Sequence, residues 1–158
     1  PLEDGNRSHS IPKDEYRTHV TSSYVTTVVA LKIDEEKKTA RVLKMYAAYD
    51  VGTVINEEAT RRQSEGGMLM AMGMGLREEF VLENGYIKTA NLVQYKLPDM
   101  SDTPETIVEF VDNYDPAGPL GAKGIGEIPL LSVQPAILNA YFDATGKRVR
   151  TLPLQKYM

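Results

Sequence analysis

The residues with most chemistry in them form the run Gly118-Pro-Leu-Gly-Ala-Lys-Gly-Ile-Gly-Glu127. Its glycines let the backbone turn with positive φ and approach a ligand closely. Consecutive N–H groups in such turns can form an anion-binding nest. The run ends on one carboxylate, Glu127, which Ile128, Pro129, Leu130 and Leu131 follow. A carboxylate set among apolar groups is desolvated, which strengthens its hold on a proton and suits a general base. The same residues also fit a surface turn with an exposed glutamate, or a carboxylate favoured by the dipole at a helix start. A Walker A loop is excluded, because Gly124 rather than Ser or Thr follows Lys123. A dinucleotide fingerprint fails too: Gly73 and Gly75 lack the third glycine, and Glu78 stands in its place.

Gln63, in Gln63-Ser-Glu-Gly-Gly67, is the second candidate. Its amide both donates and accepts, as a heteroaromatic cofactor requires; a solvated helix position fits it as well. No spacing supplies Glu127 with the second carboxylate of a glycosidase. The two histidines, His9 and His19, both lie in the polar N-terminal stretch, and any histidine metal site or catalytic triad needs them. No metal ligand set is assigned. The absence of cysteine excludes disulfides, thiolate zinc and iron–sulfur ligation within the chain. A net charge of −4 argues against a nucleic-acid partner. The sequence has no apolar run of transmembrane length and no signal peptide, so no membrane partner is expected and the cytoplasm is the expected compartment.

The 158 residues suffice for one domain with a core. Residues 1–20 read as a polar segment and residues 21–158 as the domain. Tyr24 to Ile33 is rich in β-branched residues and predicts a strand. A charged turn over Asp34 to Thr39 and a return strand over Ala40 to Ala48 complete a hairpin, and Gly52 marks a bend. Glu57 to Phe80 predicts a helix with a small-residue stripe at Gly67, Ala71 and Gly75, and with Gly66 and Gly73 near another face. Each interior glycine costs ~1 kcal/mol against alanine, so another backbone or a ligand is expected close by. Met68, Met70, Met72 and Met74 read as adaptable core filling. Asn84-Gly85 predicts a tight hairpin. Leu97 to Pro104 reads as a loop, Thr106 to Val111 as a strand, and Asp112 to Glu127 as a long loop of the kind that is usually functional or disordered. Leu131 to Thr145 predicts a helix with Ser132 as N-cap, Gly146 as stop, and Ile137, Ala140, Tyr141 and Ala144 inward. Val149 to Leu154 predicts a short last strand. The expected class is α+β: a mostly antiparallel sheet with two packed helices.

Several segments, in order along the chain, carry a resemblance. They are Asp50-Val-Gly-Thr-Val-Ile-Asn56, Gln63-Ser-Glu-Gly-Gly67, and Gly73 and Gly75 with Glu78-Glu79. Asn91-Leu-Val-Gln-Tyr95 with Pro98 follows, then the Gly118–Glu127 run and Pro129. Ala136-Ile-Leu-Asn-Ala140, Asp143-Ala-Thr-Gly146, Arg148 and Leu152-Pro153 complete the set. Together they resemble the C-terminal part of the molybdenum-binding subunit of molybdenum hydroxylases, the xanthine dehydrogenase, aldehyde oxidoreductase and carbon monoxide dehydrogenase family. Glu57, Arg62 and Met72 depart from the residues usual at their places in that pattern.

The resemblance implies a C-terminal molybdopterin-binding domain fold and a set of roles. Glu127 is implied as the catalytic base in hydroxylation of an electron-poor carbon, with water as oxygen source. The substrate is implied to be an N-heterocycle such as a purine, or an aldehyde. Gln63 is implied as a cofactor contact, and Gly124, Ile125 and Gly126 as loop residues lining the site. The cofactor is implied to be molybdopterin, its cytosine dinucleotide form included, shared with segments upstream of this region. Iron–sulfur and FAD groups are implied to sit in partner subunits or domains, not in this chain. The remaining partners are the rest of the molybdenum subunit and a small-molecule substrate. The isolated chain is then expected to be inactive, to expose an apolar patch and to self-associate. A non-catalytic interaction module with the same fold is the alternative, and a free-standing anion-binding domain a weaker one.

Overall fold

A computed structural model describes residues 21–158; the 1–20 segment, with His9 and His19, lies outside the described residues. Strand β1 (Tyr24–Asp34) and strand β2 (Thr39–Asp50) form the expected antiparallel hairpin. Alternate residues of β2 are buried, Ala40 and Val42 first, then Met45, Ala47 and Tyr49. The parity changes at Leu43 because the register shifts between Ala30 and Leu31 of β1. That bulge keeps the apolar face inward along the whole strand.

Helix α1 (Glu57–Leu76) begins at Asn56, whose side chain accepts from the Ala59 amide at 2.9 Å. Ion pairs Glu57–Arg61 and Glu58–Arg62, one turn apart, support its exposed side. The expected extension to Phe80 does not form. Arg77 leaves the helical region, donates to the Lys96 and Leu97 carbonyls and pairs with Asp102. Those tertiary bonds, together with burial of Glu78, outweigh one more helical turn. Met68 and Met72 are buried as expected, but Met70 is exposed.

Strands β3 (Leu82–Glu83) and β4 (Tyr86–Ile87) close over Asn84 and Gly85, both at positive φ, as a two-residue hairpin turn requires. A short helix α2 (Leu92–Tyr95) follows, capped by the Asn91 side chain, and a single 3-10 turn occupies Met100–Asp102. Strand β5 (Glu105–Phe110) then joins the sheet, giving the order β1-β2-β5. It pairs parallel to β2. The main sheet is therefore mixed within the expected α+β class, since a parallel neighbour needs a crossover and α1 supplies it.

The last helix is divided. Helix α3 (Ile128–Leu131) precedes helix α4 (Val133–Thr145), and Ser132 lies between them. Ser132 does not cap α4; its hydroxyl lies 2.6 Å from the Thr27 hydroxyl on β1, a cross-link from helix to sheet. Gly146 ends α4 at φ 70°, its amide bonded to the Phe142 carbonyl. Val133, Ile137 and Tyr141 are buried, Ala140 is half-buried and Ala144 is exposed. The inward stripe runs at four-residue spacing towards Thr145, so the expected place of Ala144 in it is wrong. The expected last strand over Val149 to Leu154 is also absent. Leu154 instead anchors a 3-10 turn (Leu154–Tyr157) by full burial, with no ladder partner among the described residues.

The core lies between the sheet and helices α1 and α4. The small-residue stripe of α1 is where the second helical layer approaches. A Cβ on Gly67 would lie 2.7 Å from Pro129 Cβ, and one on Gly75 would lie 3.0 Å from Ile137 Cδ1. Gly66, by contrast, faces open space. Apolar side chains remain exposed outside the core, among them Tyr24 and Val28 on β1, Tyr86 on β4, and Leu92, Val93 and Met100. Among the described residues, no helix is long and apolar enough to cross a membrane.

Candidate functional site around Glu127

The glycine-rich run is fixed first at its base, against the bend after β2. Gly52 sits at φ +68°, and a Cβ there would lie 2.3 Å from the Gly121 carbonyl oxygen. Only glycine allows both that conformation and that approach. The Thr53 amide donates to the Gly121 carbonyl at 2.9 Å, and the Lys123 amide donates to the Val51 carbonyl at 2.8 Å. Gly52 and Ala122 thereby form an isolated antiparallel bridge. Asp115 stiffens the approach to the run: its carboxylate accepts from the Ala117 amide at 2.9 Å and from the Thr21 hydroxyl. The Thr21 hydroxyl, then the Ala117 amide, holds Asp115 below the ordinary carboxylate range.

Beneath this contact lies an ion pair. Lys123 Nζ is 2.9 Å from Asp50 Oδ1, and only 4% of the Lys123 side chain and 15% of the Asp50 side chain are exposed. Asp50 also accepts from Asn113 Nδ2 at 2.7 Å and from the Gly52 amide at 3.2 Å. The Lys123 hydrogen bond holds Asp50 below the usual carboxylate range against the opposing effect of burial, with Asn113 and Gly52 assisting. The Lys123 ammonium also lies 5.4 Å from the centre of the Tyr24 ring.

The tip of the run is fixed from two other elements. Ser23 Oγ, just before β1, donates to the Gly124 carbonyl at 2.7 Å. Gln63 Nε2, on α1, donates to the Gly126 carbonyl at 2.9 Å. Ile125 turns its side chain towards the core, while Gly124 and Gly126 stay exposed, with no described residue within 4 Å of a Cβ built on either. Among the described residues, no acceptor is paired with the amides of Gly124, Ile125, Gly126 or Glu127. Glu127 then precedes α3, whose Pro129 seats on Gly67.

Four of the five residues singled out from the sequence meet at this tip. Gln63 touches the run directly, and Gly124, Gly126 and Glu127 face outward beside it. Ile125 lies within the run, but its side chain packs inward. The expected apolar setting of Glu127 is not formed: its side chain is exposed and caps nothing. Ile128, Pro129 and Leu130 turn inward as one helical turn and leave the carboxylate outside. A surface cavity of ≈ 610 Å³, lined by Arg77, Val93, Pro98 and Gln155 among others, involves no residue of the run.

Sequence reasoning missed the roles of Asp50, Asn113, Lys123 and Ser23. In the sequence Lys123 stands out only through the Walker A pattern that it fails to complete. The available signal was its place among apolar and glycine residues, since a lysine there needs a carboxylate partner if it is buried.

Residues 5–104 match the molybdopterin cofactor-binding domain family. The chain is 35% identical over 136 residues to the aldehyde oxidoreductase molybdenum-binding subunit PaoC of Escherichia coli K12, covering 84% of this chain and 19% of that one. It is 35% identical over 130 residues to the xanthine dehydrogenase molybdenum-binding subunit of Escherichia coli O157:H7, covering 81% and 17% respectively. Among solved structures, the aldehyde oxidoreductase from Desulfovibrio gigas superposes with a TM-score of 0.78 at 33% identity, covering 85% of this chain and 15% of that one. Quinoline 2-oxidoreductase from Pseudomonas putida 86 gives a TM-score of 0.74 at 28% identity, covering 80% and 16%. The chain spans less than a fifth of the length of each of these proteins. It belongs to the molybdopterin cofactor-binding domain family.

Proposed function

We propose that this member of the molybdopterin cofactor-binding domain family supplies Glu127 as the proton-accepting group of a molybdenum hydroxylase site. The observation that carries the reading is the presentation of Glu127. Its carboxylate has no hydrogen-bond or ionic partner among the described residues, yet the run bearing it is fixed by Asp50, Ser23 and Gln63. A general base must be free to take a proton and yet held in place.

The tip fits an approaching cofactor. Gly124 and Gly126 leave open space, and the four amides from Gly124 to Glu127 are donors awaiting acceptors. Gln63 uses one amide proton on Gly126 and keeps its carbonyl oxygen and second N–H for a heteroaromatic ring. Gln63, Gly124 and Gly126 would hold molybdopterin, in its plain or cytosine dinucleotide form, together with segments of a larger subunit, and Ile125 would support the tip from within. When bound, that cofactor supplies the molybdenum centre at which an electron-poor carbon is hydroxylated with water as the oxygen source. Glu127 takes the proton released in that step, and the braced loop keeps the carboxylate at one position while it does so. An N-heterocycle such as a purine is the first substrate class, and an aldehyde the second. Iron–sulfur and FAD subunits or domains would carry the electrons away.

In the complete enzyme, Glu127→Gln is expected to lower kcat by at least about 100-fold, with molybdenum and pterin content unchanged. Near-normal turnover with full molybdenum would overturn the assignment and leave the domain a structural module.

A further inference from the structure

The Lys123–Asp50 pair is more deeply buried than any other ion pair among the described residues. Most of the others lie at the surface, where such pairs contribute little. A buried pair has a different character. Removing one partner leaves a buried charge without compensation, so the pair defines a single arrangement rather than adding much stability. Its position tells what it arranges. Asp50 ends β2, the central strand of the sheet, and Lys123 lies four residues before Glu127. Asn113 and the Gly52 amide bind the same carboxylate, so Asp50 collects the bend after β2, the segment after β5 and the glycine-rich run on one side chain.

We propose that the Lys123–Asp50 pair is the positioning device for Glu127, setting the register of the glycine-rich run against the central strand. Neither residue touches the reacting atoms; both act through the backbone that carries the carboxylate. This inference rests on the reading of Glu127 as the base, and its test separates the two.

In the complete enzyme, Lys123→Met leaves the Asp50 carboxylate buried without its cation, held by Asn113 and the Gly52 amide alone. It is expected to lower kcat by about 10- to 100-fold, in line with the cost of a displaced reacting group, and to change KM for the substrate less than about 3-fold. Hydrogen exchange at the bonded amides of the run, those of Gly118, Gly121, Ala122 and Lys123, should rise while the exchange of α1 stays unchanged. Lys123→Arg, which keeps the charge, should recover part of both effects. The double variant Lys123→Met with Asp50→Asn removes both charges, so it folds even where the single variant does not. It should still show raised exchange in the run and a kcat about 10-fold below the parent, a loss no larger than that of Lys123→Met alone. Parent-like exchange in the run of the double variant, or a kcat within about 2-fold of the parent, would overturn the proposal. The reading of Glu127 fails differently: Glu127→Gln would then retain turnover, while the exchange result for Lys123→Met would be unaffected.

Discussion

Adjacent glycines on α1 offer a test of how Glu127 is positioned. Gly66 is exposed, and a Cβ there meets nothing within 4 Å. Gly66→Ala should therefore gain the helix-propensity difference, about 1 kcal/mol. At Gly67 the same gain is opposed by a clash, because the new Cβ would stand 2.7 Å from Pro129 Cβ. Carbon atoms at rest are roughly 3.5–4.0 Å apart, so α3 must retreat by about 1 Å. Overpacking of that kind costs about 1–3 kcal/mol, which leaves Gly67→Ala neutral to about 2 kcal/mol less stable. The functional effect should be larger than the change in stability suggests. Pro129 is two residues beyond Glu127 in the chain, so α3 cannot move without moving the carboxylate. A displacement of about 1 Å at a reacting group can cost about 100-fold in rate. Urea unfolding of the chain measures the first pair of effects, and kcat in the complete enzyme measures the second. The reasoning fails if Gly67→Ala keeps kcat within about 2-fold of the parent, or if Gly66→Ala is the more damaging of the two.

Two buried groups give predictions about stability. Tyr49 is fully buried, its hydroxyl has no partner among the described residues, and burial pushes its pKa up to about 12; Tyr49→Phe should therefore be neutral or stabilising by up to about 1 kcal/mol. A loss above about 1 kcal/mol in urea unfolding would reveal a bonded hydroxyl. Glu78 is buried with one oxygen unpartnered, and desolvation raises its pKa although the Tyr95 hydroxyl and Arg77 oppose the shift. The folded state then holds the Glu78 proton more tightly than the unfolded state, so this group favours folding at low pH and loses that effect as pH rises through its folded pKa. Asp50, with a lowered pKa, has the opposite slope and loses its contribution as pH falls. Subtracting the stability–pH profile of Glu78→Gln from that of the parent should leave a difference that decreases with rising pH, and parallel profiles would refute the assignment.

The sequence reveals those features that depend on near neighbours. The β1–β2 hairpin is visible in its β-branched residues, the start of α1 falls at Glu57 as read, and the end of α4 is visible in Gly146. What it hides is decided by distant partners. The end of α1 depends on Arg77 reaching Lys96, Leu97 and Asp102. The start of α4 depends on Ser132 meeting Thr27 on the first strand. The parallel direction of β5 leaves no mark on the strand itself, because its alternation reads the same either way. The site follows the same rule. Gln63 and the glycine-rich run stand out separately, but the bond between Gln63 and Gly126 joins residues 63 positions apart. The buried Lys123 was hidden for the same reason, since its partner lies 73 positions away.

The misjudged setting of Glu127 separates two requirements that the sequence runs together. A base needs a fixed position and surroundings that favour proton transfer. Apolar neighbours in sequence suggested that both come from the same few residues. In the fold, Pro129 and Ile128 work on position alone: they turn inward, seat α3 on α1 and leave the carboxylate in solvent. Leu131 remains exposed four residues after Glu127, and Leu120 seven residues before it. On the proposed function, the exclusion of water from Glu127 then falls to surfaces that meet this exposed side, while its position is already set within the chain. Variants at Lys123, Asp50 and Gly67 should therefore act through the placement of the carboxylate, and substitutions at Leu120 or Leu131 through its solvation. The two groups are distinguishable by exchange in the run, which should rise in the first and stay at the parent level in the second.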